Sequence, residues 1–283
     1  MNLADLDDAR PIGGGDICDA YRARWQGRDV FAKTLASAPP DFFAVEAAGL
    51  GWLGETGVPV PEVLHVDESW LVLEWLEPGA PDRAAAERFG RDLAALHATP
   101  APTFGAERPG YVGSLPMDNT PADDWPTFYA ERRLRPPLRT AVERGAIDED
   151  GRQVVERLCD RLVDPADAGE LAGPPEPPAR IHGDLWSGNV HWTRGADGST
   201  TRAHLIDPAA HGGHRETDLA LLALFGCPQL DVILGTYQES RPLADGWRER
   251  VGLHQLFPLL VHAALFGRSY GSRAVGVART LLR

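Results

Sequence analysis

Residues 182–208 constrain this chain more than any other stretch. His182-Gly183-Asp184 is followed, after four intervening residues, by Asn189, and an apolar run then ends in Ile206-Asp207-Pro208. Segment 190–206 reads as a hairpin. A hairpin returns the chain upon itself, so Asp184, Asn189 and Asp207 can face one site although they are separated in sequence. Whatever fold the chain adopts must bring these three oxygen-bearing side chains together on adjoining loops.

Such a set suits phosphoryl transfer, and its D-x-x-x-x-N spacing is that of a kinase catalytic loop. One carboxylate takes the proton of an acceptor hydroxyl, and two oxygen ligands hold Mg²⁺ against the β- and γ-phosphates of ATP. Asp184 is the expected base; Asn189 and Asp207 are the expected metal ligands. A second signal lies in the basic residues. Of 28 lysines and arginines, Lys33 is the sole lysine. It ends the apolar run Val30-Phe31-Ala32, a strand pattern that delivers a compact ammonium to the α/β-phosphates, a task for which the wider guanidinium is a poor substitute. Glu46, on the helix that follows, is placed to pair with it. Gly13-Gly14-Gly15 precedes the strands; without side chains its backbone can approach a phosphate closely. Alone, such a triplet is more often a plain flexible loop; its place ahead of a hairpin and of Lys33 makes it a phosphate cover.

With 41 acidic against 28 basic residues the net charge is −13, which argues against nucleic acid, whose binding rests on phosphate neutralisation. It suits a cationic small substrate. Cys18, Cys159 and Cys227 are odd in number and far apart, so neither a disulfide framework nor a zinc site is expected. The nearby histidines 182, 191, 204, 211 and 214 match no common zinc spacing. Met1–Arg10 is acidic and lacks an apolar core, and no apolar run is long enough to cross a bilayer. A cytoplasmic monomer is expected.

Along the chain, 17–25 and 28–35 read as strands around a Gln26-Gly27 turn, and 42–55 as a helix with Asp41 at its N-cap. Val63–Val66 and Trp70–Leu76 read as further strands. Glu74-Trp75-Leu76, just before Pro78-Gly79, looks like a hinge whose backbone binds adenine. Beyond it, helical periodicity runs over 82–98, with His97 as a structural histidine. A long irregular segment spans 99–127, helices 127–145 and 150–163 follow, with Pro136-Pro137 interrupting the first, and 164–179 is a linker. Asp218 opens an apolar helix at 219–226, serving either as its cap or as a clamp on the catalytic loop, and the remainder is helical.

H-G-D-L-W-S-G-N, with Trp186 in the loop, continues into Ile206-Asp207-Pro208-Ala209, then Gly213-His214-Arg215-Glu216-Thr217-Asp218-Leu219-Ala220 and Leu224-Phe225-Gly226. The glycine triplet, Glu46-Ala47, Gly49-Leu50 and Trp125…Phe128…Arg133-Leu134 belong to the same pattern. On these residues the chain resembles the fructosamine/ketosamine-3-kinase family, within the aminoglycoside phosphotransferase-like and protein-kinase-like enzymes, over nearly its whole length.

The resemblance implies an α+β protein-kinase-like fold. Residues 1–77 would form a small antiparallel five-stranded lobe with one main helix, and 78–283 a larger, mostly helical catalytic lobe. It implies ATP-dependent phosphorylation of the 3-hydroxyl of a ketoamine sugar, fructosamine or ribulosamine, free or protein-bound, in deglycation repair. Trp186 would be a substrate wall or packing under the loop, His182 a brace, and Asn119 and Glu216 substrate contacts. Asp118, Asp123, Asp124 and Glu216 are the carboxylates that could meet a cationic amine. Three departures from the family pattern stand out: Pro116-Met117-Asp118-Asn119 lacks a glutamine, His211-Gly212 replaces a tyrosine pair, and Asp16 stands where some relatives have a redox cysteine. The alternatives are an aminoglycoside- or choline-type alcohol phosphotransferase and a catalytically silent nucleotide-binding protein.

Overall fold

The computed structural model describes residues 1–13, 17–195 and 201–283. Gly14, Gly15 and Asp16 therefore lie outside the described residues. Five strands, β1 (Asp7–Ile12), β2 (Asp19–Trp25), β3 (Arg28–Thr34), β4 (Val63–Val66) and β5 (Trp70–Glu74), form one antiparallel sheet in the order β1-β2-β3-β5-β4. The β2–β3 turn places Gln26 and Gly27 at φ +50° and +80°, the left-handed pair that suits a two-residue hairpin. Alternation along β3 sends Val30 and Ala32 to one face with Leu6, Trp70 and Val72, and Phe31 to the other with Phe43, Leu50 and Leu73. Lys33 has the parity of Phe31, so it points at helix α1 (Phe42–Gly54). Asp41 does not cap α1 through its side chain; it sits at φ +59° without a cap hydrogen bond. Strand β1 was not foreseen, because its polar residues and Pro11 suit only an edge strand.

The chain leaves β5 and runs onto a second small hairpin. Gly79 N donates to Trp192 O at 2.8 Å and Arg194 N to Glu77 O at 3.0 Å. The helical part begins with α2 (Arg83–Ala98), capped by Asp82. The segment expected to be irregular holds a short hairpin, β6 (Gly110–Val112) and β7 (Leu115–Met117). Then come α3 (Trp125–Phe128), a π-helical stretch over Tyr129–Leu134, and α4 (Arg135–Glu143). Pro136 and Pro137 fall in the first turn of α4, where a missing N–H costs nothing. Helix α5 (Glu149–Val163) follows, and the expected linker contains α6 (Ala168–Ala172).

Strands β8 (Ala179–Ile181), β9 (Val190–Arg194), β10 (Thr201–Leu205) and β11 (His211–Gly213) make two antiparallel pairs, β9–β10 and β8–β11, which frame the catalytic loop. Helices α7 (Glu216–Leu224), α8 (Leu230–Ser240), α9 (Trp247–Phe266) and α10 (Arg268–Leu281) complete the chain. No helix is long and apolar enough to cross a membrane. The hairpin rests on a core of Phe89, Leu93, Leu185, Trp192, Leu205 and Leu222. Phe89 is 1% exposed and meets Trp192 edge-to-face at 5.7 Å. Phe89→Ala is expected to cost about 3–5 kcal/mol, read as a lower urea midpoint with an unchanged slope.

Burial holds five histidines below the ordinary imidazole value: His182, His214 and His254, together with His204 at about 4 and His211 at about 3. Neutral in the fold, they gain protons on unfolding below about pH 6.5, so the stability they contribute is lost as pH falls. Three carboxylates act the opposite way. Burial raises Asp92 and pushes Glu46 and Asp184 up to about 7, so their contribution is lost as pH rises toward 7. Five groups outweigh three: the urea midpoint should be lower at pH 5 than at pH 7, by roughly 0.5 M, and a higher midpoint at pH 5 would contradict this.

Candidate active site

The sheet and the helical part face each other across a cleft of about 470 Å³, lined by Gly13, Lys33, Glu46, Glu74, Leu76, Asp184, Trp186, Asn189 and Asp207. Lys33 Nζ lies 2.7 Å from Glu46 Oε2 and donates to Asp207 Oδ1 at 2.5 Å. The lone lysine thus ties β3, α1 and the loop after β10 together. Burial disfavours its charged form, but Glu46 and Asp207 outweigh burial and raise its pKa. For Asp207, burial pushes the carboxyl up and Lys33 more than offsets this, holding it below the usual value. Its side chain remains 47% exposed toward the cleft. Asp207 stands at φ +52°, a left-handed conformation that aspartate tolerates better than most residues.

The loop that carries Asp184 is held from behind. Asp218, fully buried at the start of α7, accepts the backbone N–H groups of His182 at 2.7 Å and Gly183 at 2.9 Å, and lies 3.2 Å from His97 Nε2. His97 Nδ1 in turn lies 3.0 Å from Tyr237 Oη. Burial raises the Asp218 carboxyl, but His97 and these donors bring it below the usual range. His182 Nε2 lies 2.9 Å from Ile206 O, and its Nδ1 accepts Asp184 N–H at 3.2 Å. One neutral imidazole therefore joins the Asp184 loop to the Asp207 loop. Gly183 is at φ +81°, and a Cβ there would lie 2.3 Å from Ala209 O; any other residue would push these two loops apart.

Asp184 is half-buried, and burial first, then the charge of Asp207, pushes its carboxyl up to about 7. Asn189 Nδ2 donates to Asp184 O at 2.8 Å and Oδ2 at 3.2 Å, which turns its amide oxygen the other way. Two carboxylates and an amide oxygen make an all-oxygen set of the hardness a magnesium ion takes. These residues fit a divalent cation.

Trp186 is 37% exposed on the cleft wall. A Cβ on Gly188 would come within 2.2 Å of its ring, so the indole lies flat on that glycine. Its other neighbour is Phe225, edge-on at 6.2 Å. At the opposite end, Glu74 Oε1 accepts Glu62 N–H at 2.9 Å, and Leu76 O lies 3.2 Å from His191 Nε2.

Two expected substrate contacts, Asn119 and Glu216, lie outside the cleft lining. Asn119 is 3% exposed; its amide donates to Arg108 O at 3.0 Å and accepts from Arg133 Nη2 at 2.6 Å. Both ends of the side chain are occupied, and it does not line the cleft. Glu216 is 3% exposed, with its two oxygens on Arg250 at 2.6 and 2.9 Å. Burial alone would raise its carboxyl, but His254 and Arg250 hold it at about 2. Asp118, which pairs with Arg132 at 3.2 Å, and Asp124, which caps α3, also stand outside the lining, as does Asp123. His214, Glu216 and His254 converge within 4.8 Å. Arg250 already occupies Glu216, while Glu216 N and Thr217 Oγ1 occupy the Nδ1 atoms of the two histidines. This cluster is an ion-paired core. The cleft residues that sequence reasoning missed include Ile17, Tyr111, Val112, Gly113, His191, Val261, His262, Leu265 and Phe266; none carries a motif.

A sequence profile described as fructosamine kinase matches residues 2–283. A probable ketoamine kinase of Thermus thermophilus is 37% identical, the match covering 93% of this chain and 89% of that protein. A probable ketoamine kinase of Enterococcus faecium is 34% identical, covering 93% and 91%. The crystal structure of a putative fructosamine-3-kinase from Thermobifida fusca superposes with a TM-score of 0.89 at 49% identity, covering 98% of this chain and 94% of that one. The α+β kinase-like fold and the phosphotransferase class, with a hydroxyl as acceptor, follow from these likenesses. Family membership also implies nucleotide use. From its first strand to its last helix, this chain belongs to the fructosamine kinase family.

Proposed function

We propose that the protein transfers the γ-phosphoryl group of ATP to the 3-hydroxyl of a ketoamine sugar, a fructosamine or ribulosamine. The observation that carries this reading is Asp184: a half-buried carboxylate that lines one cleft with the Lys33–Asp207 pair and with Trp186. Asp184 accepts the acceptor's hydroxyl proton as the oxygen attacks phosphorus in line and the bond from phosphorus to the β-phosphate oxygen breaks. Lys33 orients the α/β-phosphates. Gly13, with Gly14 and Gly15 beside it in sequence, covers them, and the backbone of Glu74 and Leu76 holds the adenine. Asn189 and Asp207 would hold Mg²⁺, which when bound neutralises charge on the phosphates. His182 and Asp218 fix the loop so that Asp184 needs no reorganisation at the moment of transfer.

A phosphate on C3 sits next to the C2 carbonyl carbon of the ketoamine. Enolisation between C1 and C2 lets it leave as inorganic phosphate, and hydrolysis then frees the amine. The reading therefore includes repair of glycated amines. A coupled ADP-release assay across ketoamine, aminoglycoside and choline acceptors tests it; turnover of choline or an aminoglycoside, but of no ketoamine, would replace it. Asp184→Asn should slow ketoamine turnover by about 10²–10⁴-fold while nucleotide still binds, and a near-normal rate would remove Asp184 from the role of base.

A further inference from the structure

Every carboxylate expected to meet the substrate's amine lies outside the cleft lining, and a different surface stands at its acceptor end. Trp186, Val261, His262, Leu265 and Phe266 line that end. Phe225 packs on Trp186 at 6.2 Å and on His262 at 5.0 Å; His262 lies 5.4 Å from Phe266 and 5.0 Å from Tyr270. Trp186, Phe225 and Phe266 are 37, 37 and 50% exposed, and together they supply half of the six large apolar side chains that stand exposed among the described residues. An aromatic surface of this kind, continuous with the catalytic cleft, accommodates an apolar ligand group and tolerates a cation on its ring faces.

The charges at the cleft point the same way. Of the described lining residues Lys33 is the sole lysine or arginine, and Glu46 and Asp207 hold it. Facing it are four carboxylates: Glu46, Glu74, Asp184 and Asp207. Arg144 and Arg273, which donate to Ala264 O at 2.8 Å and to Leu224 O at 3.4 Å, do not line the cleft. Residues 14–16 and 196–200 include no basic residue. Among the described lining residues no lysine or arginine is left over to pair with a carboxylate on the substrate, and four carboxylates stand against it.

We infer that the acceptor end, built from Trp186, Phe225, His262, Leu265 and Phe266, selects ketoamines whose nitrogen carries an apolar substituent without a neighbouring carboxylate: adducts of alkyl or aralkyl amines rather than adducts on the α-nitrogen of free amino acids. This rests on the ketoamine kinase reading and adds a substrate class to it. The nitrogen is a cation facing aromatic rings, and its substituent lies along Phe266 at the end of α9.

The test compares three adducts of one sugar, those of methylamine, phenethylamine and phenylalanine, by kcat/KM in the ADP-release assay. The phenethylamine adduct should exceed both others by about tenfold. Phe266→Ala should bring the phenethylamine-to-methylamine ratio toward one; a folding defect lowers both rates and leaves the ratio as it was. Phe266→Arg should shift preference toward the phenylalanine adduct. If the phenylalanine adduct matches the phenethylamine adduct in the native enzyme, or the ratio survives Phe266→Ala, the inference is overturned while methylamine-adduct turnover keeps the parent reading standing. Turnover of no adduct at all would overturn both.

Discussion

The site depends on one buried carboxylate that touches no ligand. Asp218 accepts two consecutive backbone N–H groups, those of His182 and Gly183, and its third neighbour is His97. A charge with no exposure is tolerated only when donors surround it, and these donors are the backbone that sets the position of Asp184. Removing the carboxylate would leave two buried N–H groups unpaired and the loop without its register. His182 extends the same restraint across to Ile206, so the positions of Asp184 and Asp207 are decided by one connected network rather than by two independent loops.

Against that rigid floor, the cleft itself concentrates unfavourable charge. Glu46, Asp184 and Asp207 share a small volume with one ammonium, and burial first, with the charge of Asp207 behind it, pushes Glu46 and Asp184 up to about 7. Asp207 also sits in a left-handed backbone conformation. Such strain persists where the surrounding structure over-determines it, and it clusters at functional sites. A cation and a nucleotide would relieve it. The fold holds the site at some cost in stability, which is the usual price of preorganisation.

The acceptor end differs in kind. Its residues come from the catalytic loop, from the residue after α7 and from the end of α9, and they meet through aromatic contact rather than hydrogen bonds. Asn119 and Glu216, polar and prominent in the sequence, are consumed by Arg133 and Arg250 and serve the core. The cleft therefore combines a polar end, lined by Lys33, Glu46, Asp184, Asn189 and Asp207, with an apolar end lined by Trp186, Val261, Leu265 and Phe266.

Much of this was legible from the residues alone. Asp184, Asn189 and Asp207 were readable because a short loop and a hairpin leave few geometries open to them, and Lys33 because strand parity decides which way a side chain points. The sheet strands from Asp19 onward and α1 followed from local pattern, whereas β1 did not: its polar residues and Pro11 give no apolar alternation, and pairing with β2 alone makes it a strand. The availability of a polar group was equally invisible, since it depends on which arginine lies across from it in space. Of the aromatic wall only Trp186 could be read, from its place in the loop; Phe225 and Phe266 share no local period with it. The sequence by itself determined the chemistry of phosphate transfer, which local spacing encodes; only the tertiary structure decided which residues face the acceptor, because that surface is made where a loop and two helix ends pack together.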